Sequence, residues 1–461
     1  MKVFYLGSNI HQEALDIFER TPGSVVVYEE IDIAPVRPAV LRLVDQGRAV
    51  GINRERIQAS LLAAGAAGGD ARERIVSAVL NDYRVFLLKT RFTRVDHEGA
   101  FASFGYFSDV VDYALHFNTK FKPRLVYCSY TPHTVEAWIF MRTLEEAGVR
   151  IIRLITSPLP WVSLPVAGLA EERIKPLSSA SMSHSPKKVA RYLEVLNGSY
   201  DNALPYYERV MGAFSWGAFK ATLSLLAPKN ALKAIEKRLV FGEYMKVAKP
   251  FDTESPFATY FLHYQPEMNT IPEAGLYCDQ YQAIVKVASA LPQGVKLIVK
   301  EHPSTFTKRC DRRWRPKGFY ERIARIPNVL ICAPGANAFH HIDRAKFVAS
   351  IAGVCLTEAL ARGITAVTFY SPRFTLFPSS LVVDASSVSI SELREMLRNI
   401  CARQSRLSEN EVAECLLRVA QSGYDGSDDE SFIPRAIMQA AMNSKRANRI
   451  AIQDVIDGTL S

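Results

Sequence analysis

Two periodicities alternate along this chain. Short runs of β-branched and aromatic residues are each followed by a longer stretch with apolar residues at helical spacing, a pattern that dictates α/β layers on mostly parallel sheets. In the first half the runs that read as strands are residues 2–6, 24–28, 84–88, 124–129 and 150–156. In the second half they are 258–263, 296–300, 329–332, 347–351, 365–369 and 381–384, with helices predicted at 277–290, 318–326, 356–362 and 390–403. Between Pro158 and Phe251 the strand signal disappears; residues 187–196 and 206–249 read as helical, the latter broken at Pro228. From Glu409 onward the chain reads as helical, with an acidic interruption between Asp425 and Glu430. The Ala- and Gly-rich stretch within 58–80 reads as a helix-loop excursion, because no strand precedes it to make a phosphate-binding glycine loop.

A chain of 461 residues exceeds what one hydrophobic core organises. The expected division is an α/β domain over 1–200, a helical bridge over 201–250, a second α/β domain over 251–405 and a helical tail over 406–461. Seven cysteines, an odd number with no C-x-x-C pair, disfavour a disulfide framework and a structural zinc, and fit a reducing cytoplasm. The opening MKVFYLGSN reads as a strand rather than a signal peptide, and no apolar run reaches the roughly 18 residues of a membrane span. A net charge of +9 suits nucleotides, phosphates, acidic glycans or an anionic membrane equally, so charge alone selects no partner.

Chemistry concentrates at three strand ends in the second half. The first run leads into His263, Gln265 and Glu267, with Tyr277, Asp279 and Gln280 opening the next helix; open α/β sheets bind ligands at such carboxyl edges, although an ordinary turn would read the same way. The second leads into Lys300, Glu301, His302 and Pro303, where proline fixes the turn, His302 can donate to a phosphate oxygen or, protonated, neutralise it, and Lys300 adds a point charge. The third passes Ser350 and Gly353 into a helix with Thr357 and Glu358, offering free amides and a positive dipole end; Glu358 reads either as a ribose or base contact or as a partner of that dipole.

Together these motifs, over about residues 257–370, resemble the capsule polysaccharide biosynthesis family of bacterial glycosyltransferases. That resemblance implies a GT-B-like fold of two Rossmann-like domains facing a cleft, the C-terminal one binding the activated sugar, with CMP-Kdo as the favoured donor. It also implies that His302 contacts the donor phosphate, Ser350 and Gly353 line its pocket, and Glu358 holds the nucleoside. The sequence departs from the family where Val354 follows Gly353, where Leu356 takes a second glycine's place, and at Tyr370. A fainter likeness covers Tyr127 to Glu136. On that acceptor side His133 and Glu136 are the first candidates for general base, with Asp109 and Asp112 behind them; taken singly, each reads more readily as a helix cap.

The expected function is transfer of a sugar from a nucleotide donor to a glycan or glycolipid acceptor of a surface polysaccharide, in the cytoplasm or at the inner face of its membrane. No D-x-D motif of the metal-binding kind occurs, so neither metal nor cofactor is called for. The rival expectation is a non-catalytic protein of polysaccharide assembly that keeps the fold. Lys308, Arg309, Arg312, Arg313 and Arg315 around Trp314 form a basic run that matches no nucleic-acid module and reads as a loop over donor phosphates or an acidic-glycan contact. In the bridge, Phe214, Trp216, Phe219, Lys229, Lys233, Lys237 and Arg238 fit packing between domains better than a membrane surface.

Overall fold

The computed structural model describes residues 1–5, 12–29, 37–65, 68–92, 100–169, 173–174, 186–198, 228–250, 254–307, 312–334, 337–426 and 436–458. The chain divides into two compact units: Met1–His184 with Val419–Asp429 and Gln439–Ser461, and Ser185–Arg418 with Glu430–Met438. Each is built on a parallel-rich sheet flanked by helices, two α/β halves as the alternation of periods predicts, and in the arrangement that the GT-B-like resemblance implies.

In the first unit β1 (Lys2–Tyr5), β2 (Ser24–Tyr28), β3 (Ala49–Gly51), β4 (Leu125–Cys128) and β5 (Arg150–Thr156) pair in parallel in the order β3-β2-β1-β4-β5. An antiparallel edge follows, made of β6 (Val162–Ala167) with β7 (Arg173–Ile174) and β15 (Tyr424–Asp425). The helices are α1 (Gln12–Glu19), α2 (Arg37–Asp45), α3 (Arg54–Ala64), α4 (Asp70–Leu80), α5 (Tyr83–Phe92), α6 (Ala100–Phe121) and α7 (Val135–Glu146). Buried Phe4, Phe18, Val26, Tyr127 and Ile152 form one core with Ala447, Ile452 and Val455 of the C-terminal helix, Ala436–Asp457. Lys2 Nζ donates to the carbonyls of Val455 and Ile456, both at 2.6 Å, placing a cation on the negative end of that helix.

The second unit carries β8 (Ala248–Lys249), β9 (Phe257–Phe261), β10 (Lys296–Lys300), β11 (Val329–Cys332), β12 (Val348–Ser350), β13 (Ala366–Thr368) and β14 (Val382–Asp384). All pair in parallel, in the order β14-β13-β12-β9-β10-β11-β8. Helices on both faces explain why these strands are unbroken apolar runs rather than alternating ones. They are α8 (Pro186–Asn197), α9 (Pro228–Val247), α10 (Gln280–Ala290), α11 (Ser304–Thr307), α12 (Phe319–Ala324), α13 (Ala338–Arg344), α14 (Val354–Ala361), α15 (Ile390–Ala402) and α16 (Glu409–Gln421), which makes the C-terminal helix α17. From β9 the chain builds outward through β10 and β11, then returns to the other side of β9 for β12, β13 and β14. The order therefore reverses between β9 and β12, and open α/β sheets offer a ligand crevice at the carboxyl ends flanking such a reversal.

Two expectations are corrected and two are refined. Residues 84–88 are helix, not strand: Val85 and Leu88 are buried three apart while Phe86, between them, is 69% exposed, which is helical and not alternating spacing. The strandless interval holds β6, whose Pro165 lowers strand propensity but is accommodated opposite Leu154 in an antiparallel pair. Pro228 is the first residue of α9, in keeping with a break at that position, and its fixed φ suits a first helical position. The acidic interruption begins with β15, whose Gly423 neighbour lies so close to β6 that a Cβ there would clash with Val162 Cγ1. Phe214, Trp216, Phe219, Lys308 and Arg309 lie outside the described residues.

Candidate active site

The strand ends flanking the reversal bring the three polar clusters together. Leu262 and His263 follow β9, Glu301 and His302 follow β10, and Ile351 to Gly353 follow β12, three neighbouring strands of one sheet. His263 is buried, and its Nε2 accepts the backbone N–H of Ala352 at 3.0 Å. A nitrogen that accepts carries no proton, so the neutral ring holds its proton on Nδ1, facing Glu267 Oε2 at 3.5 Å. Ser350 Oγ donates to the carbonyl of Phe261 at 2.8 Å, a second tie between the two strand ends.

Gly353 is the N-cap of α14, with φ −65° and ψ 154° that any residue can adopt; space, not backbone strain, requires glycine. A Cβ there would lie 2.9 Å from Cys355 Sγ, 3.1 Å from Ser350 Oγ and 3.5 Å from His263 Nε2. No side chain caps the N-terminus of α14, where amides and the helix dipole favour an anion. Ala352 is held from the opposite side by Arg373, whose Nη1 donates to its carbonyl at 2.5 Å. Burial draws the Arg373 guanidinium below its ordinary value, with Tyr192 and Glu273 opposing, so a buried cation stands behind the turn. Arg373 carries no motif, and nothing in the sequence marks it.

His302 Nδ1 accepts the N–H of Ser304 at 3.1 Å, which leaves Nε2 as the protonated nitrogen. Burial lowers its pKa to about 4, outweighing Glu267 and Glu301, which raise it. With Nδ1 accepting, the ring is a neutral N–H donor, one of the two roles expected of it. Pro303 begins the turn into α11, with Phe306 N donating to its carbonyl at 3.1 Å. Lys300 is buried at the end of β10, and its charge depresses both His302 and His341.

Two expected donor contacts turn inward instead. Glu301 is buried, its Oε2 taken by Arg315 Nε and Tyr320 OH, both at 2.7 Å, and its Oε1 by Arg315 Nη2 at 3.0 Å, Thr305 Oγ1 at 3.1 Å and its neighbour's amide, His302 N, at 2.7 Å. Burial alone would raise this carboxyl; the guanidinium and hydroxyl partners override it and hold it below its usual range. Gln265 is also buried, its Nε2 donating to the carbonyl of Cys278 at 2.8 Å and its Oε1 accepting from Gln280 and Arg315. Arg315 is thus not part of a loop over phosphates, and Arg312 is paired with Glu243 at 2.9 Å. Glu267, 42% exposed, remains at the rim. The Thr357 hydroxyl is buried with no hydrogen-bond partner among the described residues, while half-buried Glu358 lies near Cys355 and Tyr192, whose pKa values are raised by burial first and by Glu358 second.

In the first unit the same reversal of strand order falls between β1 and β4. Beyond β4, Tyr130 packs its ring 5.0 Å from that of His133, and Thr134 caps α7 through the N–H of Ala137 at 3.3 Å. Glu136 in the first turn accepts from Tyr106 OH at 3.3 Å. Glu29, buried at the end of β2, accepts from Thr134 Oγ1 at 2.9 Å and from Tyr5 OH; it has no sequence signature beyond ending a strand. Asp112 is committed elsewhere: Arg72 holds both its oxygens, at 2.6 and 2.8 Å, with the carboxylate buried. It is corrected from candidate base to structural anion. Asp109 has its carboxyl raised by burial and by Asp112, against Arg72.

No family model matches the chain, and no curated protein matches it significantly. Solved structures are similar over most of their length at low identity. They include UDP-GlcNAc 2-epimerase from Methanocaldococcus jannaschii (12% identity, 91% of this chain and 99% of that one, TM-score 0.26). Thermosulfurimonas dismutans KpsC, a beta Kdo 2,7 transferase, matches at 11% identity over 74% and 96%, TM-score 0.28. Anabaena Alr3699/HepE, solved with UDP and glucose, matches at 11% over 100% and 99%, TM-score 0.25. Likeness this distant carries no inference about this chain's activity, which has to come from the residues of its own site.

Proposed function

We propose that the chain is a glycosyltransferase taking its sugar from a nucleotide-activated donor bound in the second unit. The observation that supports this reading is the meeting of His263, His302 and the Gly353 turn at the ends of three neighbouring strands: a ring whose Nε2 carries the proton and an uncapped helix N-terminus follow the two strands that flank β9, donors of the kind a leaving phosphate requires. In this reading His302 Nε2–H and the first amides of α14 stabilise the phosphate oxygens as the glycosyl bond breaks, Arg373 supplies a fixed positive charge behind the turn, and Glu358 contacts the nucleoside. His133 or Glu136 takes the acceptor proton. CMP-Kdo is the favoured donor and a surface or capsular glycan the acceptor, at the cytoplasmic face of the membrane. A membrane-surface contact gains support from α9, which exposes Ile235 (52%), Leu239 (54%) and Met245 (45%) beside Arg238 and Lys246; no described helix is long and apolar enough to cross a membrane.

The test is a mass-spectrometric screen of purified protein with CMP-, UDP- and GDP-activated sugars and a lipid-linked or synthetic glycan acceptor. Transfer from one donor class supports the reading. A second reading, a fold-retaining protein without the reaction, is favoured by Leu356, buried where family members carry a flexible glycine, and Val354, partly exposed at the first helical position. No binding of CMP, UDP or GDP would decide for it.

A further inference from the structure

Arg315 lies fourteen residues beyond Glu301 and far outside the three clusters, yet it touches two of them. Its guanidinium is buried and makes five hydrogen bonds: two to the Glu301 carboxylate, one to Gln265 Oε1 at 2.9 Å, one to the His263 carbonyl at 2.8 Å and one to the Trp314 carbonyl at 3.0 Å. Gln280 closes the network from the other side, accepting the His263 N–H at 2.7 Å and donating to the His263 carbonyl at 3.1 Å and Gln265 Oε1 at 2.7 Å. The loop after β9 and the loop after β10 are therefore fastened to one planar fork. Only a rigid donor set with this geometry reaches a carboxylate, an amide and a carbonyl at once; an ammonium is a single point.

We propose that Arg315 is a positioning residue whose fork fixes the two imidazoles of the site, His263 through its carbonyl and His302 through Glu301, in opposite tautomers. The adjoining backbone does the transmission. Glu301 Oε1 holds the His302 amide, and that turn presents Ser304 N–H to His302 Nδ1; the anchored His263 peptide directs its ring at Ala352. With both loops fixed, His302 offers N–H from Nε2 while His263 offers its lone pair from Nε2, so one ring donates toward the ligand and the other orients the phosphate-binding turn. Its link to turnover rests on the nucleotide-sugar reading above; the placement of the rings does not.

The experiment uses the full chain. Arg315→Met strands a buried carboxylate and threatens folding, so the deciding variants are Arg315→Lys, which keeps the charge without the fork, and Glu301→Gln/Arg315→Met, which removes both charges at similar volume. Long-range 1H–15N spectra of the histidine rings report tautomers directly, thermal unfolding reports the fold, and calorimetry with CMP, UDP and GDP reports binding. The expected result is that both variants unfold within a few degrees of the parent, lose the distinct Nδ1–H and Nε2–H signatures of His263 and His302, and bind nucleotide at least tenfold more weakly. Parent-like tautomers in both folded variants would overturn the proposal. If the parent binds none of the three nucleotides, the spectra still decide the role of Arg315, and only the nucleotide-sugar reading fails.

Discussion

His263 Nε2 and the amide nitrogen of Ala352 lie 3.0 Å apart, joining the ends of β9 and β12 across the place where the chain reverses its order in the sheet. The bond crosses 89 positions of sequence and pins the peptide just before the glycine turn. Replacing the ring leaves a buried N–H without its acceptor. His263→Leu should cost about 1–3 kcal/mol in urea unfolding, and calorimetry should show nucleotide binding lost beyond what that destabilisation explains.

Gly353→Ala tests the close approach. The added methyl meets Cys355 Sγ and Ser350 Oγ inside normal contact, so the α14 entry must shift at a cost of about 1–3 kcal/mol. Because φ is ordinary there, Gly353→Ala/Cys355→Ala should recover most of that stability; no recovery would place the clash on Ser350 Oγ instead.

Acid should weaken the second unit through its buried imidazoles. Burial lowers both His302 and His341 to about 4, beneath the ordinary value near 6.5. The unfolded chain therefore binds protons that the folded chain refuses, so stability is complete above about pH 6.5 and declines as pH falls toward 4. Denaturation midpoints at pH 7.5, 6 and 5 should fall in that order, and His341→Asn should flatten the slope.

The same neutrality separates two roles for His302. A ring acting as a cation would lose activity as pH rises through 6.5, whereas a neutral N–H donor keeps it. Turnover between pH 6 and 8 should show no loss attributable to this ring, and His302→Ala should lower it about 10²- to 10³-fold with unfolding near that of the parent.

Asp112 and His133 should part company. Asp112→Asn breaks the charge-assisted pair with part-exposed Arg72 and should cost about 1–3 kcal/mol, with turnover per folded molecule nearly unchanged. His133→Ala should instead reduce turnover with little change in the unfolding midpoint. The reverse pattern would move the base back to α6.

Several features of this protein were readable from local sequence because the physics behind them is local. Apolar runs of four to seven residues bounded by charge make strands, and a strand ending in His-Tyr-Gln or Lys-Glu-His must deliver those side chains at a sheet edge whatever the fold around it. The α/β class, both sheets and the three polar strand ends follow from this. Residues 84–88 misread because five apolar-rich residues fit either period until burial chooses between them, and β6 and β15 misread because short antiparallel edges depend on a partner rather than on their own composition.

What the sequence by itself determined is that His263, Glu301, His302 and Gly353 sit at strand ends and helix starts. Which of them face a ligand was decided by tertiary structure. A carboxylate costs too much to bury alone, so Glu301 turned inward only where buried Arg315 and further donors meet it, and Asp112 turned inward against part-exposed Arg72. His302 kept its ring at the edge but lost its charge to burial. Such choices depend on partners brought from elsewhere in the chain, and no spacing along the sequence encodes them.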